Sequence, residues 1–241
     1  MKKMLIIIAM VLLGVGFNYG ASAWVYVPDY GDTGWQTYTY TAGAAGFTGT
    51  AGFVVSNAVD SGAYSELLLD NLSQGGGIQD INRGFEQVSF SGYNLVGAST
   101  ANVSTSEQAV QGNTYNPTQS EHLAVIQGLY NATFNYGVTT SQFSNASGQP
   151  GTGGSILETA ITLSSGAPFS FDWAFLGNDM SPWNDFALFY LKDQSGAMVF
   201  SKGLAQIGSA PAIPIPSSVL LLGSGLLGLL GLARKGKRRV G

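Results

Sequence analysis

Phe169, Phe171, Trp173 and Phe175 alternate without a break with Ser170, Asp172 and Ala174. A period of two places the four aromatic residues on one face of an extended strand and the three small or polar ones on the other, whereas a helix repeats every 3.6 residues. The aromatic face is expected in a core. Positions 186–191 (Phe-Ala-Leu-Phe-Tyr-Leu) are apolar on both parities, which suits a central strand covered on both sides. Asp193-Gln194-Ser195-Gly196 reads as the hairpin turn to the strand that follows. Further strands are expected at 35–41, 52–57, 65–69, 85–93, 122–127, 132–136 and 156–163, punctuated by Gly, Ser, Thr and Asn. The glycine-rich stretches 75–77 and 147–154 read as loops. With no cysteine, the fold must rest on its apolar core. A unit of about 190 residues buries roughly 70% of its unfolded surface, enough for one sandwich. The expected class is all-β: a single jelly-roll-like β-sandwich over 24–210, with a helix at either end of the chain outside it.

The two ends are of another kind. Lys2 and Lys3 precede an apolar run over 4–17, and Ala21-Ser22-Ala23 supplies the small-x-small pattern that signal peptidase accepts. Residues 1–23 are therefore expected to form a signal peptide, cleaved after Ala23. All fourteen Asp and Glu residues lie in 24–210, with Arg83, Lys192 and Lys202 as the basic ones, a formal charge of −11. A domain so acidic repels phosphate backbones and anionic lipid, which argues against nucleic acid as a partner and favours cations.

At the other end Pro214-Ile215-Pro216 leads into the uncharged segment 217–233, and Arg234, Lys235, Lys237, Arg238 and Arg239 follow. Those 17 positions make a helix of about 26 Å, slightly short of the roughly 30 Å hydrocarbon core. Snorkelling by Arg234 and Lys235 absorbs the difference. The basic cluster places this end in the cytoplasm, and a cleaved signal peptide places the preceding domain outside. This order of proline motif, Leu-Gly-Ser-Gly-Leu-Leu-Gly span and basic stop resembles the PEP-CTERM sorting domain, over 211–241; Ile215 stands where that family usually has glutamate. The resemblance implies an inner-membrane intermediate, an exosortase-type membrane protease or transpeptidase cutting near Pro214 to Pro216, and delivery to the cell surface or exopolysaccharide matrix.

Two segments resemble parts of ectodomains that precede such tails. One begins Thr33-Gly34-Trp35 and runs on to Ser65-Glu66-Leu67-Leu68-Leu69-Asp70-Asn71; the other begins Ser170-Phe171-Asp172-Trp173 and runs on to Asn184-Asp185-Phe186-Ala187-Leu188. Here they stand in the reverse order, which implies a circular permutation, with 73–80 as the joining loop.

Catalysis is not expected. His122 is the one histidine, and no nucleophile elbow, zinc motif or phosphate loop accompanies it. Asp172, Asp179 and Asp185, with Asn178 and Asn184, cluster around the loop 177–183 and offer oxygen ligands to a structural calcium ion, against a solvated turn as the plainer reading. Trp183, beside Pro182, is the tryptophan whose context favours exposure, and it is the candidate platform for a polysaccharide. A surface structural or interaction protein is the leading expectation; a carbohydrate-binding module comes second and a secreted hydrolase a distant third.

Overall fold

A computed structural model describes residues 24–60, 63–75, 84–128 and 140–210. The expected signal peptide, the sorting tail and the strand at 132–136 lie outside them. Thirteen strands and no helix occupy the described residues: β1 (Val25–Val27), β2 (Gln36–Thr41), β3 (Phe47–Ala58), β4 (Glu66–Gln74), β5 (Tyr93–Leu95), β6 (Thr100–Ser104), β7 (Glu107–Gln108), β8 (Thr114–Tyr115), β9 (Leu123–Gln127), β10 (Gly151–Leu163), β11 (Pro168–Leu176), β12 (Phe186–Asp193) and β13 (Met198–Ile207). They belong to a compact unit that ends at Gly208; another begins at Ser209.

One sheet runs β1-β13-β12-β3-β10-β5 and the other β2-β11-β4-β9-β6, with β7 and β8 as a separate ribbon. Every pairing is antiparallel except that of β1 with β13. Early and late strands interleave in both sheets. β3 lies between β10 and β12, and β11 lies between β2 and β4.

Alternation decides which side chains meet. Phe53 and Val55 of β3, Phe169, Phe171, Trp173 and Phe175 of β11, and Ala187, Phe189 and Leu191 of β12 join one core between the sheets. The other parity of β3 and β12 (Val54, Phe186, Leu188, Tyr190) packs with Phe143 and Trp24 in a second cluster. Leu68, Val125, Ala174 and Leu176 pack with Ala109, Tyr115 and Trp35 in a third. Both central strands are thus buried on both faces, as their sequence implies. At the centre, Phe189 touches Tyr38, Phe53, Phe169, Phe171 and Phe200, with ring centroids 5.1–6.0 Å apart.

The expected hairpin turn is present: Asp193 Oδ1 accepts from the Ser195 amide at 2.8 Å, and Gly196 takes the positive φ of 84° that the turn requires. Two expectations need correction. Residues 85–92 form turns and bends rather than a strand, because Phe85 takes a φ of 59° and packs at a tilt against Tyr93 and edge-on with Phe90 at the core's rim. Residues 151–154 belong to β10 instead of a loop. The glycines there answer to crowding: a Cβ at Gly154 would meet the Val55 carbonyl oxygen at 2.1 Å, and a bulge falls between Gly151 and Gly153.

The unit closes on itself, since Gly208 N–H donates to the Val27 carbonyl at 2.9 Å. Phe189→Ala is expected to lower the unfolding free energy by about 3–5 kcal/mol, measured by urea denaturation. A loss below about 1 kcal/mol would mean that the two sheets are not held together by this aromatic seam.

Candidate functional site

At one end of the sandwich the chain leaves β3 through Val59, whose φ of 77° is costly for a β-branched residue, and reaches Asp60. Asp179 lies between β11 and β12, and Asp185 directly precedes β12. Because Ser56 of β3 pairs with Phe186 of β12, the end of one strand meets the start of the other. One carboxylate oxygen from each of Asp60, Asp179 and Asp185 lies within 4.8 Å of the other two.

Asp185 is fully buried. Its Oδ1 accepts the Ala58 N–H at 3.3 Å and its Oδ2 accepts the Ser65 hydroxyl at 2.9 Å. Burial pushes its carboxyl up to about 8; the Ser65 and Ala58 donors work against the rise, and the nearby Asp179 and Asp60 add to it. Asp179, 5% exposed, is also raised, by burial and then by Asp60 and Asp29, while the Met180 N–H at 2.7 Å on its Oδ1 opposes this. Three acids thus converge where water is largely excluded.

Donors run short in this corner. Asp60 Oδ1 and Asp179 Oδ2 are buried without a hydrogen-bond partner, and so are both amide atoms of Asn57. Asn57 shares the inward parity of Phe53 and Val55 and is fully buried. Its Oδ1 and the Ser65 carbonyl oxygen stand 3.1 and 3.0 Å from the point a side chain at Gly128 would occupy. That brings Asn57 beside the residue that donates to Asp185.

Asp172, expected with Asp179 and Asp185, is elsewhere. It lies on the outward parity of β11, directly opposite Asp70 of β4 and Thr37 of β2. Its Oδ1 accepts the Thr37 hydroxyl at 2.6 Å, and its Oδ2 accepts Asn71 Nδ2 at 3.1 Å and lies 2.8 Å from Thr118 Oγ1. Asp70 is as well supplied, by the amides of Asn71, Thr118 and Gln119 at 2.6–2.9 Å. Asp60 takes the place that sequence spacing gave to Asp172. No spacing rule links Asp60 to positions 179 and 185; the pairing of β3 with β12 does.

Trp183 is half-buried, in the turn that its N–H closes on the Met180 carbonyl at 2.9 Å. His122 sits at the surface with Nδ1 3.2 Å from Glu86 Oε2. Ala21 and Ala23, and the tail residues from Pro214 to Arg239, lie outside the described residues.

No known family model and no curated protein matches this chain. Among solved structures, one described as "AvmM Catalyzes Macrocyclization in Alchivemycin A Biosynthesis" aligns over 80% of this chain and 88% of its own, at 11% identity and a TM-score of 0.27. A likeness of that degree carries no argument about fold or activity.

Beside the acidic corner, an open depression is lined by Tyr64, Glu66, Glu107 and Asn178, among others. Burial pushes the Glu66 carboxyl up to about 7, against a hydrogen bond from Gln127 Nε2 at 3.0 Å and with help from Glu107. An unfolded glutamate titrates at about 4.3. Between the two values the folded state keeps a proton that the unfolded chain has lost, so this residue's stabilisation is complete at low pH and is lost as pH rises towards 7. Glu66→Gln is expected to be more stable than the parent by about 1–3 kcal/mol at pH 8, with the gap closing near pH 4. Urea titrations at both pH values check this; an equal gap at each would show that Glu66 titrates normally.

Proposed function

We propose that this chain is an exported structural or interaction protein, held briefly in the inner membrane and then released by an exosortase-type enzyme to the cell surface or an exopolysaccharide matrix. The observation that carries the reading lies in the sequence: the basic-apolar-small start and the proline-apolar-basic end independently specify one orientation, with the acidic domain outside. The domain's charge of −11 suits an exterior milieu with abundant cations.

The strand order supports a jelly-roll reading of the sandwich. β13-β12-β3-β10 faces β2-β11-β4-β9, and the chain crosses between sheets from β2 to β3, β3 to β4, β9 to β10, β10 to β11 and β11 to β12. In that scheme β13, with β1 added outside it, fills the position beside β12 that the first strand of a jelly roll holds, so the chain is opened one strand later than usual. The two segments that resemble sorted ectodomains pack as neighbours, with Tyr38 paired to Phe171 and Leu69 to Trp173. The contact of Gly208 with Val27 keeps the ends of the unit together, the geometry that circular permutation needs.

Intact-mass analysis of the protein released from the producing cell's surface tests the reading. The expected product begins at Trp24 and ends near Pro214 to Pro216. Recovery of chains still carrying Arg234 to Arg239, or unchanged processing after loss of the exosortase, would refute sorting and leave an anchored protein.

A further inference from the structure

We propose that Asp60, Asp179 and Asp185 hold a calcium ion that ties the end of β3, the loop between β11 and β12, and the start of β12 into one corner of the sandwich. This goes beyond the export reading and does not depend on it. Carboxylates crowd together on many acidic surfaces without a ligand, so the case rests on what surrounds these three.

The first point is the missing donors. Asp60 Oδ1 and Asp179 Oδ2 are buried with no partner, and the wholly buried Asn57 near the end of β3 has neither amide atom satisfied. Leaving such groups unpaired is destabilising, and more so for a charge. A cation satisfies the carboxylate oxygens at once. The same protein shows how it saturates buried carboxylates that need no ion: Asp70 and Asp172 are ringed by hydroxyl, amide and backbone donors.

The second point is geometry. Ligands at roughly 2.4 Å from one centre cannot stand more than about 4.8 Å apart, and the three carboxylate oxygens meet that limit. An all-oxygen set without histidine or cysteine selects a hard cation. Calcium fits better than magnesium, which holds its waters tightly and demands a near-ideal octahedron. A corner in which Asp185 is fully buried and Asp179 only 5% exposed has little space for retained waters. The Ser65 hydroxyl and the Ala58 amide, already on Asp185, orient that carboxylate from behind.

The third point is electrostatic. The charged groups that act on Asp179 and Asp185 are all acidic: Asp29 and Asp60 on the former, Asp179 and Asp60 on the latter. Lys192, by contrast, is engaged by Glu158 at 2.8 Å. A bound cation relieves that repulsion directly.

The test uses the full chain solubilised in detergent and stripped with a chelator. Calcium at a hundredfold excess over its dissociation constant should raise the folding equilibrium about a hundredfold, or the melting midpoint by roughly 5–10 °C, and magnesium at equal ionic strength should do far less. Terbium should also bind in calcium's place and luminesce when the protein's tryptophans are excited, with added calcium displacing it and removing the signal. Asp185→Asn is expected to abolish both responses. Asp60→Asn, at the half-exposed loop position, tests the same site without touching the interior and should weaken binding at least tenfold. The proposal fails if calcium and magnesium shift the midpoint equally, or if Asp60→Asn and Asp185→Asn both keep the parent's calcium response.

Discussion

The contact between Phe189 and the rings of Phe53, Phe169 and Phe171 is the joint on which the two sheets depend. With no disulfide to close the chain, apolar burial between the sheets must outweigh the entropy of ordering it. The strand order makes this a property of the whole unit. β3, from the first quarter of the chain, completes the sheet of β10, β12 and β13, while β11, from the last third, fills the gap between β2 and β4. Neither half of the sequence can bury its aromatic face alone. The mostly long-range pairing also implies slow, cooperative folding.

Around this core the protein treats buried acids in two ways. Asp70 and Asp172 stand opposite each other on adjacent strands, an arrangement that like charges ordinarily disfavour. It is tolerable because backbone amides, Thr37, Asn71 and Thr118 supply donors, although the single hydroxyl hydrogen of Thr118 can serve one carboxylate at a time. That pair fastens the segment around Thr118 onto the sheet. At the corner of Asp60, Asp179 and Asp185 the balance is reversed: acceptors outnumber donors, and burial with mutual repulsion shifts the carboxyls of Asp179 and Asp185 upward. The two groups of acids differ in the number of donors that face them.

Much of the architecture was legible in the sequence because side-chain alternation is a local property. The parities at 169–175 and 186–191 assigned residues to faces, and those faces are the ones found. Local patterns misled where tertiary packing overrode them. Phe85 and Phe90 look like strand residues yet plug the core's rim from a turn, and the glycines at 151–154 look like a loop yet allow β10 to lie close against β3. The proposed export and sorting signals are equally local, being written in charge and hydropathy at either end of the chain.

The acidic corner was legible only in part. Sequence proximity brought Asp179 and Asp185 together, and parity placed Asp172 on the outward face of its strand, but spacing alone could not tell that this face points to Asp70 rather than to Asp185. Asp60 enters the corner because β3 and β12 are neighbours in register, a relation between residues more than a hundred positions apart. By itself, then, the sequence determined most of the long strands with their buried faces, the acidity of the domain and the charge and hydropathy of both ends, since each follows from composition or a short period. Which carboxylates converge, and which are left short of donors, was decided by the tertiary structure, because hydrogen-bond supply at a buried site depends on every segment that packs around it.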